Sequence, residues 1–227
     1  EPKGVALSHR NVLANVSQFG SRLDLPAHSS MLGCLPLFHS FGSTVTLWFP
    51  VIQGVNLVTY PSPLETKRLA ELIAIHQVDV LLSTPTFMRG FMKRVDSAQL
   101  ASLKLVVTGA EKLPQSLSEA FNEKFGVSPQ EGYGLTETTA GATLNITGAL
   151  KVGTVGKPIP GTSVKIAEDG EVLIKGPIVM RGYWQNDAAN QEVFGGELFK
   201  SGDLGRLDDE GYLYITGRKK ELIVTAG

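Results

Sequence analysis

VDVLLSTPTFMRGFMKR, residues 78–94, reads as a strand and a helix back to back. Residues 78–83 make a short, mostly apolar run closed by Ser-Thr-Pro, the composition of a strand buried on both faces. Pro85 suits the first turn of a helix, where its missing N–H costs nothing, and Phe87, Met88, Phe91 and Met92 then supply an apolar face. The same alternation continues outward in both directions. Residues 54–60 (GVNLVTY) read as a strand and 64–76 as a helix bearing Leu69, Leu72 and Ile73. On the other side come a strand over Leu103 to Thr108 and a helix from about Pro114 to Phe125, ended by Gly126. Nearer the start, Ser8 can cap a helix with Val12, Val16, Phe19 and Leu23 at helical spacing and Leu13 alongside. The predicted class is α/β, a layered αβα subdomain whose parallel strands place ligands at loops beyond their carboxyl ends.

Near residue 150 the texture changes to glycine and short alternating runs. VKIAEDGEVLIKG turns at Asp169 and Gly170, and GRLDDEGYLYITG gives a second hairpin signal. The expected organisation is an α/β subdomain over 1–150, a small β subdomain over 151–217, and a hinge segment over 218–227. With Glu1 in place of an initiator methionine and an apolar run at the end, the sequence is expected to be part of a longer chain.

Composition excludes several classes. The 227 residues are 42% hydrophobic and 19% charged with a formal net charge of -1, which bounds a soluble-type core and gives no electrostatic footprint for nucleic acid. The single cysteine, Cys34, excludes a disulfide framework and suits a reducing compartment, so the cytoplasm is the expectation. No apolar run reaches membrane-spanning length, and no signal peptide is legible.

The chemistry-bearing residues fall in loops. EGYGLTETT, residues 131–139, brings two glycines, an aromatic ring, hydroxyls and a carboxylate together. Glycines let backbone approach a ligand, Tyr133 can stack on a base, Thr136 can donate to phosphate, and Glu137 offers magnesium a hard oxygen. Alone, the stretch equally describes a turn entering a capped helix. TGAEKLP at 108–114 could wall a base pocket. KSGDLG at 200–205 holds Asp203 between glycines, either as a turn residue or as an acceptor for ribose hydroxyls. GRKKELI at 217–223 is either a solvated hairpin end or part of the site.

Taken in order, PKGV (2–5), LPLFHSFG (35–42), GAE (109–111), YGLTE (133–137), GTVGKPIPG (153–161), GD (202–203) and GRKKELI resemble the ANL superfamily of adenylate-forming, AMP-binding enzymes. The likeness is greatest to the acyl-acyl-carrier-protein synthetase half of 2-acylglycerophosphoethanolamine acyltransferases and to long-chain acyl-CoA synthetases. It implies an ATP- and magnesium-dependent ligase that forms an acyl adenylate and passes the acyl group to coenzyme A or an acyl carrier protein. By the resemblance, His39, Thr136 and Glu137 are catalytic, with Glu137 the metal ligand. Gly109, Ala110, Glu111, Tyr133 and Gly134 line the adenine side, Asp203 and Arg218 hold the ribose, and Lys220 is a hinge. Lys3 and Gly4, after Pro2, are expected to be the end of a phosphate loop that begins earlier in the parent protein, and residues 1–227 are expected to stop short of the family's C-terminal lid domain. The 227 residues alone are therefore expected to be inactive, and the parent protein is open to membrane association. The alternatives are a non-catalytic nucleotide-binding module and an aryl- or amino-acid-activating relative.

Overall fold

The computed structural model describes residues 3–146 and 148–221. Pro2 of the phosphate-loop remnant and residues 222–227 of the expected hinge segment lie outside them. In chain order, strand β1 (Val5–Ala6) leads into helix α1 (His9–Leu23), and β2 (Ser30–Gly33) into α2 (Ser40–Ser43). A π-helical turn over Thr44–Trp48 continues as α3 (Phe49–Gln53). Then β3 (Asn56–Thr59), α4 (Thr66–His76), β4 (Val80–Ser83), α5 (Pro85–Arg94), β5 (Leu105–Thr108), α6 (Gln115–Phe125) and β6 (Gln130–Tyr133) alternate as the sequence predicts. Next come β7 (Thr143–Leu144), β8 (Lys157–Pro158), β9 (Ser163–Ile166), β10 (Glu171–Lys175), β11 (Gly182–Tyr183), α7 (Asp187–Val193), β12 (Phe194–Gly195), β13 (Leu198–Leu207) and β14 (Leu213–Arg218).

The main sheet runs β3-β2-β4-β5-β6-β7-β8, parallel from β3 through β6 and antiparallel at its far end. Side chains alternate across it. Val80, Leu82, Leu105 and Val107 point to a core shared with α1 and α3, whereas Leu81 and Val106 meet Leu69 and Ile73 of α4, Phe91 of α5 and Phe121 of α6. Both faces are therefore covered, which explains why these strands carry unbroken apolar runs. Each large side chain buried fully in this way contributes about 1.5–3 kcal/mol.

A second, five-stranded sheet has the order β12-β13-β10-β9, with β14 on the other edge of β13. Its Val172, Ile174 and Leu213 join the α1 side of the main core. Because β8 belongs to the main sheet, the chain changes sheets between Pro158 and Ser163, later than a boundary at 151. Both hairpins form where expected, with Gly170 and Gly211 in the left-handed region at φ +83°.

Helix α1 differs from its apolar reading. Leu13 is exposed, and the buried face includes Asn11 and Asn15. Asn11 completes a capping box with Ser8 and donates to the carbonyls of Pro177 and Val179, while Asn15 donates to the Gly141 carbonyl. These buried amides tie α1 to the loops that carry the site.

Candidate active site

Strands β5 and β6 end side by side, and the loops beyond them form the first two walls. After β5, Gly109 leads to Ala110, which sits at φ +66°, a costly conformation for a residue with a Cβ. Two carboxylates hold this loop. Glu111 accepts from the Thr86 N–H at 3.2 Å and hydroxyl at 2.7 Å, at the start of α5. Glu131, on β6, accepts from the Leu113 N–H at 2.9 Å. Burial pushes the Glu131 carboxyl up to about 7.

After β6 the chain passes through Tyr133, Gly134 and Leu135 to a short turn at Thr136–Thr138. Gly134 is required by contact: a Cβ there would overlap the Ala140 carbonyl. Tyr133 donates its hydroxyl to Asp203 Oδ2 at 2.7 Å, and Arg218 Nε donates to Asp203 Oδ1 at 3.0 Å. Asp203 is buried, and burial followed by its negative charge drives the Tyr133 phenol well above its ordinary range. Asp203 on β13 and Arg218 on β14 are direct cross-strand partners.

At the other end of the loop, Glu137 Oε1 accepts from the Tyr183 hydroxyl at 2.7 Å. Burial, then this bond, raises the Tyr183 phenol. The Lys3 ammonium lies 4.6 Å from the Tyr183 ring centre, brought there by pairing of β1 with β11, and the Gly4 carbonyl accepts from the Trp184 N–H at 2.7 Å. Thr136 donates to Ser40 Oγ at 3.3 Å. His39 is exposed and caps α2, its Nδ1 accepting from the Phe41 N–H at 3.2 Å.

Three cavities meet around this loop. One of about 280 Å³ is lined by His39, Ser40, Phe41, Gly109 and Thr136, and a second of about 620 Å³ by Ala110, Glu111, Glu131, Tyr133 and Asp203. The third, of about 630 Å³, is lined by Lys3, Glu137, Tyr183, Lys219 and Lys220. Leu135 and Arg218 line all three. The predicted residues are thus gathered around one groove, with Gly4 supporting its edge through backbone. Sequence reasoning left out Ser40, Glu131, Glu171 and Tyr183. Glu131 stood inside the quoted EGYGLTETT stretch, but nothing local showed that it would be buried.

Among the described residues no group of three or more His, Cys, Asp or Glu side chains could hold a metal. Glu137 presents a carboxylate whose Oε1 accepts from Tyr183, a single ligand that fits an ion held mainly by phosphate oxygens and water.

The family model of AMP-binding enzymes matches residues 1–184. The chain belongs to this family. Its fold is that of the N-terminal domain of ANL adenylating enzymes. The chain is 45% identical over 141 residues to the long-chain-fatty-acid–CoA ligase FadD15 of Mycobacterium bovis, covering 62% of the chain and 23% of that protein. It is 32% identical to a long-chain-fatty-acid–CoA ligase of Bacillus subtilis, covering 100% of the chain and 43% of the ligase. Among solved structures, O-succinylbenzoate coenzyme A synthetase of Bacillus subtilis, in complex with ATP and magnesium ion, matches with a TM-score of 0.91 and 29% identity over 100% of this chain and 49% of that one. The chain therefore spans less than half the length of each.

Proposed function

We propose that this groove binds magnesium-ATP and that the whole protein activates a fatty acid as its acyl adenylate, then passes the acyl group to coenzyme A or an acyl carrier protein. The observation that carries the reading is the Asp203 carboxylate, buried yet set on a cavity wall, with Tyr133 and Arg218 each using one oxygen. A carboxylate has about four acceptor positions, so lone pairs remain for two ribose hydroxyls. Gly109 and Ala110 present backbone to the base, and Thr136 donates to phosphate. Glu137 would hold magnesium, which offsets charge on the phosphate oxygens when bound.

A carboxylate is a weak nucleophile, so rate comes from alignment and from donors placed where charge develops. His39 and Ser40 line the same small cavity as Phe41, Val45 and Val107, which gives an acid a polar entrance and apolar walls. Lys220, on the turn at Lys219–Glu221, marks the hinge in this reading. Adenylation by residues 1–227 alone is expected to be negligible. No helix among the described residues is long and apolar enough to cross a membrane. The single cysteine suits a reducing compartment, and on that ground we assign the protein to the cytoplasm. The likeness to an O-succinylbenzoate synthetase supports a second reading, an aryl acid substrate.

Pyrophosphate release by the full-length protein, with ATP, magnesium and a panel from octanoate to oleate plus aryl acids, tests both. Long-chain acids are expected to give the highest kcat/KM, and preference for an aryl acid selects the second reading. Asp203→Asn is expected to raise KM for ATP about tenfold or more, the cost of weakened charge-assisted hydrogen bonds. An unchanged KM for ATP sinks the assignment of Asp203.

A further inference from the structure

Glu171 is a buried carboxylate that the nucleotide chemistry above leaves unused. It opens β10, and its two oxygens reach strand β13 and the turn that follows β14. Oε1 accepts from the Gly202 N–H at 2.9 Å, and Oε2 accepts from the Lys219 ammonium at 2.8 Å. Gly202 precedes Asp203, and Lys219 follows Arg218. One side chain thus grips the neighbours of both members of the Asp203–Arg218 pair.

The strand pairing explains why a side chain is needed there. Glu171 pairs with Leu204 and Leu173 with Lys200, so Ser201, Gly202 and Asp203 stand opposite the single residue Val172. Such a bulge interrupts the ladder and re-aims side chains, and its N–H groups must find other acceptors. The Asp203 N–H finds Ser201 Oγ at 3.1 Å, and the Gly202 N–H finds Glu171. On the other edge, Leu204 pairs with Gly217 but Gly205 pairs with Ile215, so β14 is irregular as well. Asp203 belongs to the bulge on the β10 edge and keeps register only with Arg218 on the β14 edge, next to the shift at Leu204–Gly205, so the ladder holds it from one side alone. Lys219 is held in addition by Asp169 Oδ2 at 2.6 Å, so the 169–171 turn, the bulge and the end of β14 form one ionic cluster.

We infer that Glu171 and Lys219 are positioning residues for Asp203, holding the bulge and the end of β14 at the separation that lets Asp203 meet Arg218 and Tyr133 while facing the ribose. The inference rests on the reading of Asp203 as the ribose carboxylate. The chemistry calls for a carboxylate at 171 because both of its oxygens face donors. A glutamine satisfies one donor and turns its own NH₂ toward the other.

The test measures binding of ATP, 2′-deoxy-ATP and 3′-deoxy-ATP to the full-length protein by titration calorimetry, with thermal unfolding alongside. Asp203→Asn serves as the control and is expected to narrow the preference for ATP over both deoxy analogues. Glu171→Gln is expected to weaken ATP binding about tenfold and narrow the same preference, with fatty acid saturation unchanged. Lys219→Met has the same effect, smaller in size, and Lys219→Arg restores the preference. A preference left at the wild-type ratio in Glu171→Gln and Lys219→Met, while Asp203→Asn narrows it, overturns the inference and spares the ribose reading. If Asp203→Asn itself leaves the ratio unmoved, the ribose reading fails and takes the inference with it. Should Glu171→Gln not fold, Lys219→Met decides, since the lysine side chain is 44% exposed and Glu171 keeps the Gly202 N–H after its loss.

Discussion

The parallel half of the main sheet and the small antiparallel sheet deliver functional residues in different ways. Strands β4 and β5 are buried throughout, and the site residues that follow β5 and β6 stand in or beyond the last turn of strand, at Gly109, Ala110 and Tyr133 to Glu137. In the small sheet Asp203 stands in the middle of β13, a ten-residue strand interrupted by bulges. A sheet covered on both faces has room for polar chemistry only where its strands stop. One with an open edge and irregular pairing can point a carboxylate sideways from within a strand. Scaffold and site are separate in the first region and share the same residues in the second.

The largest effect that would sharpen this contrast is in the parallel half. Leu82→Ala removes a fully buried side chain and is expected to cost about 2–5 kcal/mol in urea unfolding, with nucleotide affinity of the folded fraction unchanged. Loss of ATP affinity without loss of stability would break the separation.

Glu131 is the polar exception in that half, and its effect is about 3 kcal/mol. Its carboxyl is raised to about 7 in the folded chain against an ordinary 4.5, so the folded state binds the proton more tightly than the unfolded state. The associated stability is fully present below about pH 4.5 and is lost as pH rises through about 7. Glu131→Gln keeps an acceptor for the Leu113 N–H and removes the titration. Its stability relative to wild type is therefore expected to grow from pH 5 to pH 8 in parallel melts, and a constant difference would place the proton elsewhere.

The smallest effect is in the antiparallel half. Gly202→Ala meets open space, so its cost is the left-handed backbone at φ +74° alone, about 1 kcal/mol. If scaffold and site coincide there, this variant loses ATP affinity along with stability, read by chemical unfolding and calorimetry on one preparation. A stability loss with unchanged affinity would make the bulge mere scaffold.

Much of the fold was legible because its signals are local. The apolar run at 78–83, Pro85 and the capping serine at Ser8 each act within one or two turns of chain, and the elements form within a few residues of their expected bounds. The β8 strand was not legible as part of the main sheet, since a two-residue strand has no period of its own. Leu13 illustrates a second limit: it fits the apolar stripe of α1 but faces outward, because Asn11 and Asn15 find backbone carbonyls to bond on the packed side.

The sequence by itself determined the alternation of strands and helices, the glycine turns of both hairpins, and the loops on which His39, Gly109, Thr136 and Glu137 stand, whereas Tyr133, Asp203 and Arg218, also expected in loops, lie within strands β6, β13 and β14. Tertiary structure alone decided that Tyr133 and Arg218 share Asp203, that Tyr183 holds Glu137, and that Glu171 fills the gap left by a bulge. The reason is physical. Periodicity and capping are settled between neighbours in the chain, but the acceptor that a displaced N–H or a buried hydroxyl uses depends on which distant strand is packed beside it.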